Sequence, residues 1–303
     1  MSDKAATALM LPATGLLLAA TAACQPLSGP AATAAPGNVL ATACAGRDGW
    51  SDPAPPARIF GNTYYVGTCG ITALLVTSPQ GHVLIDGGTA EAAPAIAANI
   101  ERLGFKLADV RLLLNSHEHF DHAGGIAPLQ RLTGARLQVR EPARAVFQTG
   151  VPAATDPQAG SLAPLQPARV DGIVAGGQVV RLGRLALTAH ATPGHSPGST
   201  SWTWRSCEGR RCVRVAYADS LTAGSADSYR FTDHPAYVAE FRATLAKVAA
   251  LDCDLLITPH PDASKLFDRL AGKGLLINPG ACKTYAGLAA QALDERLGRE
   301  QPR

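Results

Sequence analysis

Short apolar runs recur along the chain, and most of them are rich in β-branched residues and bounded by glycine or proline. Such runs predict β-strands, and apolar residues at helical spacing predict helices. The predicted strands are 58–66, 70–78, 82–86, 110–114, 178–181, 185–191, 200–205, 213–218 and 255–258, and the predicted helices are 93–103, 125–132, 235–251 and 285–299. Because the strands form two blocks that are each followed by helices, we expect an α/β fold with two sheets in the core and helices outside.

Residues 150–169 interrupt this pattern because they are rich in Pro, Ala and Gln and show little periodicity. They predict a long loop, and loops of this length inside a compact domain are often functional.

The composition is typical of a globular protein with a sizeable core. Of 303 residues, 47% are hydrophobic and 17% are charged, and the net charge is +3. These values exclude a disordered chain. The basic residues are scattered and form no dense run, so we do not expect nucleic acid as a partner.

The first 23 residues predict a secretory signal peptide. Lys4 precedes a stretch rich in Ala, Thr and Leu that is too short and too weakly apolar for a stable membrane span. Residues 24–43 predict a disordered leader, which leaves 44–303 as the folded domain. Residues 21–24 resemble a lipoprotein acylation site, but the usual Leu three residues before Cys24 is missing, so we do not expect a lipid anchor. The expected location is the periplasm.

The predicted domain holds six cysteines: Cys44, Cys69, Cys207, Cys212, Cys253 and Cys282. An even number in an exported chain favours disulfides over free thiols. Only Cys207 and Cys212 lie close enough in sequence to suggest a local pairing, and the residues alone leave the other pairings open.

Candidate metal ligands follow three predicted strands. The candidates are His117, His119, Asp121, His122, His195 and His260. Imidazole nitrogen and carboxylate oxygen are good zinc ligands, and six ligands divide into two sets of three, as in two-metal hydrolases. Glu118 lies inside the same cluster, but alternation places it away from the ligand face, so we assign it no role as a base.

A competing motif surrounds His195. Residues 194–198 match G-x-S-x-G, the nucleophile elbow of serine hydrolases. The residue after the nucleophile must donate its backbone N–H to the oxyanion hole, but Pro197 has none. A strand rather than a helix is predicted to follow, so we reject a serine mechanism.

The pattern His117-x-His119-x-Asp121-His122, with His195 and His260 downstream, resembles the metallo-β-lactamase superfamily. The resemblance covers roughly residues 45–300. It implies a four-layer αβ/βα sandwich, in which two mixed β-sheets pack face to face with helices outside and the metals lie in a groove at one edge. The segment 86–88 resembles the acidic turn that supports the ligands in this family.

The residue types resemble those of subclass B3. Subclass B1 carries a cysteine ligand near the position of Ser220, and subclass B2 has Asn in place of His117. The segments 48–56, 67–70, 199–205 and 217–222 are also similar to B3 enzymes.

The resemblance implies two Zn²⁺ ions per chain. The first would be held by His117, His119 and His195, and the second by Asp121, His122 and His260. The implied disulfides are Cys44–Cys69, Cys207–Cys212 and Cys253–Cys282, and the implied oligomeric state is a monomer.

The implied reaction is hydrolysis of the β-lactam amide bond of antibiotics by a metal-bound hydroxide, which confers β-lactam resistance. Asp121 would act as a ligand and a catalytic residue, and Ser220 would be a second catalytic residue. Ser220 and Thr222 are expected to orient bound water or the carboxylate of the small-molecule substrate. The loop 150–169 is expected to form one wall of the groove, where Gln158 is a candidate substrate contact.

Other functions are open for the same signature. Glyoxalase-type thioesterases and lactonases share it, and in several of them an acidic residue bridges both metals. Asp219 is the candidate for that bridge, since it stands next to Ser220. A zinc carrier without catalysis is a third hypothesis, although six ligands for two metals leave coordination positions open, which favours catalysis.

Overall fold

The computed structural model describes Met1 and residues 36–301. The predicted signal peptide and most of the predicted leader therefore lie outside the described residues. The last seven residues of the predicted leader are not disordered but form a helix, Gly37–Ala43. Its Leu40 is fully buried in the main core, and that apolar contact explains why the segment is ordered.

The described residues contain eight α-helices, twelve strands and three short 3-10 helices. The helices are α1 (Gly37–Ala43), α2 (Ala93–Arg102), α3 (Phe120–Ala123), α4 (Ile126–Thr133), α5 (Glu141–Thr149), α6 (Pro235–Ala249), α7 (Leu266–Leu270) and α8 (Ala281–Glu300). The strands are β1 (Ala57–Phe60), β2 (Thr63–Tyr65), β3 (Leu74–Val76), β4 (His82–Ile85), β5 (Val110–Leu114), β6 (Arg136–Val139), β7 (Val170–Ile173), β8 (Val179–Leu182), β9 (Leu185–Ala191), β10 (Thr200–Glu208), β11 (Arg211–Tyr217) and β12 (Leu255–Ile257).

Within the described residues the strands form two mixed sheets. The first has the order β1-β2-β3-β4-β5-β6-β7, and the second has the order β12-β11-β10-β9-β8. In the first sheet β4, β5, β6 and β7 run parallel. In the second sheet β9 and β11 are both antiparallel to β10, and β12 is parallel to β11. The strands β9, β11 and β12 therefore end at the same edge.

The sheets pack face to face with helices on both outer sides, which confirms the predicted four-layer αβ/βα sandwich. The central core joins side chains of both sheets, such as Leu114 from β5 and Trp202 from β10. A second cluster packs α2, α4 and α5 on the first sheet, and a third packs α6 and α8 on the second sheet. Each sheet is thus apolar on both faces, which explains the continuous apolar runs in the sequence.

The predicted strand 58–66 is wrong, because two strands occupy it. β1 and β2 form a hairpin in which Phe60 pairs with Thr63. Gly61 has a φ of +54° at the turn, a conformation that favours glycine. The Gly-Asn pair at 61–62 was the sequence signal for this turn.

Two strands of the first sheet and one helix packed on it were missed by the pattern. Strand β6 alternates between buried and less buried residues, and β7 is an edge strand without a fully buried residue, so neither has a long apolar run. Helix α5 buries Ala143, Val146 and Phe147, which are spaced as on one helix face. The residues 150–169 form the predicted loop and contain no helix or strand.

Disulfides join Cys44 to Cys69, Cys207 to Cys212 and Cys253 to Cys282. This pairing is the one that the resemblance implied. The described part of the chain holds no helix with the length and hydropathy needed to cross a membrane.

Candidate metal centre

The predicted ligands lie in loops that follow strand ends. His117 and His119 come after β5, and α3 begins directly behind them with Asp121 and His122 in its single turn. His195 follows β9, and His260 follows β12. The two sheets are connected at this edge, because Thr200 N–H of β10 donates to the Ser116 carbonyl at 2.7 Å. The structure therefore brings all six side chains to one place.

His117, His119 and His195 form the first set. The ring centroids of His117 and His119 are 4.7 Å apart, and the His195 centroid lies 4.8 Å from each of them. One nitrogen from each ring lies within 4.8 Å of the others, and all three side chains are buried. Such a group of three nitrogens can hold a metal ion and leave a further coordination position open.

Asp121, His122 and His260 form the second set. Oδ2 of Asp121 lies 3.1 Å from His122 Nε2 and 3.4 Å from His260 Nε2. The two imidazole nitrogens are 3.3 Å apart. His117 also lies close enough to Asp121 and His122 to share a metal with them, so the two sets are adjacent.

Each histidine of the first set has its second nitrogen engaged by an oxygen. Nδ1 of His117 lies 2.8 Å from Asp219 Oδ1, and Nε2 of His119 lies 2.9 Å from Asp156 Oδ2. Nδ1 of His195 lies 3.0 Å from the Thr222 carbonyl. Carboxylate and carbonyl oxygens only accept, so these nitrogens donate, and the opposite nitrogen of each ring carries the free lone pair.

One of those opposite nitrogens is buried without a partner. Nε2 of His117 makes no hydrogen bond to the protein and has no exposed surface. A buried polar atom in this condition calls for an explanation, and a metal ion at the centre of the set would supply its missing contact. The donor set and this unpaired nitrogen both fit a metal of the zinc type.

Two of the three rings in the first set have the protonation state that suits metal binding. Burial lowers the pKa of His117 and of His195 well below the ordinary value, so both rings are neutral at neutral pH. Burial also lowers the pKa of His119, but the hydrogen bond to Asp156 outweighs this effect and raises it. Neutral imidazole is the form that binds metal.

Two carboxylates, Asp121 of the second set and Asp86 behind it, control the protonation of His122. Burial lowers the pKa of His122, but Asp121 and then Asp86 more than offset this effect and raise the pKa to about 10. In the metal-free protein these carboxylates therefore hold a proton on His122. A metal cation at this set would replace that proton.

Asp86 supports the ligand loop, as its place in the acidic turn 86–88 predicted. Its carboxylate accepts from Ser116 N–H at 2.6 Å, from the Ser116 hydroxyl at 2.7 Å and from the Tyr217 hydroxyl at 2.6 Å. Asp86 has a φ of +65°, an uncommon conformation for a residue other than glycine. The two hydrogen bonds from Ser116 thus fix the chain where β5 leads into His117, and the one from Tyr217 holds the Asp86 carboxylate in place.

The structure places the predicted substrate contacts on two neighbouring loops. Ser220 is buried beside Asp219, and the Thr222 hydroxyl lies 2.9 Å from His195 Nδ1. The Gln158 amide packs against Gly224, 3.3 Å from where a Cβ atom would stand. The loop 150–169 therefore borders the segment that follows Ser220 and Thr222.

Two buried aspartates of the site were not assigned this role from the sequence. Asp156 lies in the loop 150–169, where no pattern marked it, yet it binds His119 and also accepts from Gln158 N–H at 2.7 Å. The sequence suggests Asp219 only as a bridge between metals in a glyoxalase-type enzyme. In the structure its Oδ1 instead contacts His117 Nδ1. Both contacts depend on tertiary structure, and the only sequence signal was an Asp in a loop or next to a strand end.

An aromatic pair borders the second set. The Trp50 and Phe120 ring centroids are 5.3 Å apart, and Trp50 lies 6.3 Å from the His260 ring. Trp50 is 43% exposed, so one side of the site offers an apolar surface to solvent.

Comparison with known proteins places this site in a family. The family model of the metallo-beta-lactamase superfamily matches residues 66–260. The metallo-β-lactamase MIM-1 from Novosphingobium pentaromativorans is 55% identical, with a TM-score of 0.85 over 87% of this chain and 98% of that chain. MEM-A1, a subclass B3 metallo-β-lactamase from a soil metagenome library, is 48% identical, with a TM-score of 0.80 over 83% of this chain and 98% of that chain.

A curated relative of another kind also matches. The hydroxyacylglutathione hydrolase of Anaeromyxobacter dehalogenans is 34% identical over 179 residues, which are 59% of this chain and 56% of the relative. The chain thus spans about half the length of that curated relative. The family match over residues 66–260 and the identity with whole B3 structures lead to one conclusion: the chain belongs to the metallo-β-lactamase superfamily and is similar to its subclass B3 members.

Proposed function

We propose that the protein is a zinc-dependent β-lactamase that hydrolyses the β-lactam amide bond and so confers resistance to these antibiotics. The observation that carries the proposal is the three-histidine set with Asp121, His122 and His260 directly beside it, in a chain that covers 98% of MIM-1 at 55% identity.

His117, His119 and His195 would hold a first zinc ion, and Asp121, His122 and His260 a second. The chemistry that bound zinc supplies in such a site is a nucleophilic hydroxide at neutral pH and polarisation of the scissile carbonyl. Three protein ligands per ion leave room for water and substrate.

The chain's own residues orient these ligands. Asp219 and Asp156 accept the N–H of His117 and His119, which fixes the tautomer and the ring plane of each. Thr222 does the same for His195 through its carbonyl. Asp121 adds a carboxylate, and burial raises its pKa less than His122 and its neighbours lower it, so it stays ionised.

Ser220 and Thr222 are proposed to orient the substrate carboxylate, and Gln158 to contact the substrate from the loop 150–169. The contact of Thr222 with His195 and the contact of Asp156, in the loop 150–169, with His119 support this assignment. An unchanged catalytic profile in Gln158→Ala would remove the role of Gln158.

A serine nucleophile at the 194–198 motif is excluded by burial. Ser196 has no exposed surface, and its hydroxyl donates to Glu118 Oε2 at 2.9 Å. The hydroxyl therefore has no access to a substrate carbonyl.

The second candidate function is a glyoxalase-type thioesterase, which the hydroxyacylglutathione hydrolase relative favours. That hypothesis assigned Asp219 as a bridge between the metals. The 2.8 Å contact of its Oδ1 with His117 Nδ1 favours a different role. That oxygen accepts the N–H of His117 and orients the ring, so it does not face the metal.

Three disulfides support export, because disulfides persist in oxidising compartments such as the periplasm. The signal peptide, the periplasmic location and the monomeric state stay predictions, which N-terminal sequencing of exported protein and light scattering would check.

The test is hydrolysis of a chromogenic cephalosporin and a carbapenem by the purified protein, with and without a chelator and then with added zinc. We expect turnover that chelation abolishes and zinc restores. A folded protein that binds two zinc ions but cleaves a glutathione thioester and no lactam would replace this function with the second candidate.

A further inference from the structure

Two sequence features have no part in the proposed reaction, and the structure brings them together. Glu118 stands between His117 and His119, and the segment 194–198 carries the rejected elbow motif. The Ser196 hydroxyl donates to Glu118 Oε2 at 2.9 Å, and the Gly198 N–H donates to Glu118 Oε1 at 2.8 Å. Glu118 is 3% exposed, so both hydrogen bonds are shielded from water.

Gly198 is the residue that permits this approach. A Cβ atom at this position would lie 2.2 Å from Glu118 Oε2 and 2.7 Å from the Ala143 side chain. No side chain fits there, since real Cβ contacts are longer than 3.0 Å. The Glu118 carboxylate, which contacts both residues, thus explains why Ser196 and Gly198 stand in the motif.

The contact joins the two segments that carry the first ligand set. Glu118 belongs to the segment with His117 and His119, and Ser196 follows His195 directly. The turn 192–199 is closed on itself, because Thr192 N–H donates to the Ser199 carbonyl at 3.0 Å. A displacement of Ser196 or Gly198 therefore moves His195.

Further contacts hold this turn from other sides. Arg140 Nη1 donates to the Ser199 carbonyl at 2.8 Å, and the Thr244 hydroxyl donates to the Pro193 carbonyl at 2.6 Å. Neither contact reaches the segment 117–119. The backbone contact of Thr200 with Ser116 joins the two stretches of chain just outside these segments, and Glu118 is the side chain that hydrogen-bonds directly from the segment 117–119 to the His195 turn.

We infer that Glu118 is a positioning residue, which sets the spacing of His195 from His117 and His119 and thereby the metal affinity of the three-histidine set. It is not a base, because both carboxylate oxygens accept hydrogen bonds within the protein and face no solvent. The inference rests on the proposed assignment of His195 as a ligand of the first zinc ion. The second set has no such contact with Glu118, so its affinity is independent of it.

The experiment measures zinc affinity by competition with a chromophoric chelator, without any substrate. Glu118→Ala is made in a His260→Ala background, where the three-histidine set is complete and the second set is not. We expect the affinity of the remaining set to fall about 10- to 100-fold, the usual effect of losing a residue that orients a ligand. Ser196→Ala removes one of the two hydrogen bonds, and we expect a smaller loss of about 3- to 10-fold.

Two further variants separate positioning from general damage. Glu118→Gln keeps an oxygen for Gly198 N–H and an amide for the Ser196 hydroxyl, so it is expected to restore nearly full affinity. Asp171→Ala is the matched control, because Asp171 also accepts a backbone N–H, that of Leu137, but on strand β7. Its zinc affinity should equal that of the parent protein.

Glu118→Ala in a second background completes the test. In a His195→Ala background Glu118→Ala should leave the zinc affinity of the second set unchanged, since no His195 remains to be positioned. Equal losses in both backgrounds, or no loss in either, would overturn the inference. A Glu118→Gln variant as weak as Glu118→Ala would also overturn it. If Glu118→Ala does not fold, the zinc affinities of Ser196→Ala and Glu118→Gln still test the inference. Absence of lactam hydrolysis by a wild-type protein that binds two zinc ions would remove the proposed function and leave this result intact.

Discussion

Asp219→Asn keeps the shape of a buried side chain and removes its charge. Asp219 and His117 have no exposed surface, and the atoms Oδ1 and Nδ1 are 2.8 Å apart. A hydrogen bond to a charged group contributes about 1.5–3 kcal/mol and a neutral one about 0.5–1.5 kcal/mol. The difference of roughly 1–1.5 kcal/mol predicts about a tenfold weaker binding of zinc by the three-histidine set.

The same substitution should act in the opposite direction on the metal-free protein. Burial raises the pKa of Asp219, because a carboxylate without solvent is less stable than the neutral acid. The amide removes that buried charge, so the metal-free variant is expected to melt at the same temperature as the wild type or higher. Since a tenfold loss of affinity is about 1.4 kcal/mol of metal-linked stability, the gap between the zinc-loaded and metal-free melting temperatures should shrink by about 3–6 °C.

Differential scanning calorimetry of both forms, together with chelator competition, measures this gap. Asp171→Asn is the control, since its carboxylate lies on strand β7 and contacts Leu137 N–H rather than a ligand. A variant whose two melting temperatures fall together, with an unchanged gap, would refute the reasoning, because Asp219 would then stabilise only the fold.

Three other perturbations test the fold. In Gly125→Ala the new Cβ atom would lie 2.0 Å from a backbone carbonyl oxygen, so urea titration should give a free energy of unfolding lower by about 1–3 kcal/mol; an unchanged midpoint would contradict this packing. Replacing Cys253 and Cys282 by Ser removes a disulfide with a sequence separation of 29 residues. Chemical denaturation should show a free energy of unfolding lower by about 2–4 kcal/mol. An unchanged free energy of unfolding would mean that the disulfide does not stabilise the fold. Hydrogen bonds from Arg214 lower the pKa of Asp254 to about 2; the stability that this pair supplies is therefore complete above the unfolded pKa near 4 and is lost as the pH falls toward 2. Denaturation at several pH values should show that the wild type is more stable than Asp254→Asn above about pH 4 and that this difference disappears toward about pH 2. A difference in stability that is the same at every pH would contradict the prediction.

The ligands could be predicted because their signal is local. His117 to His122 are consecutive or nearly so, and the strand before them is a plain apolar run. His195 and His260 each follow such a run as well. Parallel strands end at the same edge of a sheet, so the sequence predicted that these loops meet without any knowledge of distances.

The residues that hold the ligands could not be predicted in the same way. Asp156 binds His119 across 37 residues of chain, and nothing in the pattern of the loop 150–169 distinguishes it from other polar residues. Glu118 was placed away from the ligand face, which the structure bears out, but its partners Ser196 and Gly198 lie about 80 residues away. Hydrogen bonds of this kind have no period along the chain, and only the folded structure pairs them.

Errors in the elements have similar causes. The apolar pattern predicts one strand across the hairpin of β1 and β2, since both halves are apolar and only Gly61 and Asn62 separate them. Strand β7 lies at the edge of its sheet and has no fully buried residue, so it lacked an apolar signal. Helix α1 is ordered by the burial of Leu40 in a core made by distant residues, which local composition does not reveal.

Each ligand set is divided between the two sheets. The loop after β5 of the first sheet supplies two ligands to either set, and the second sheet completes them with His195 after β9 and His260 after β12. Neither half of the sandwich has a complete set, so tight binding requires both sheets to be docked. Metal bound at the two proposed sets would consequently be captured late in folding and would link one sheet to the other. Export of the chain in an unfolded state would therefore deliver it without metal, and loading would follow assembly in the compartment where it folds.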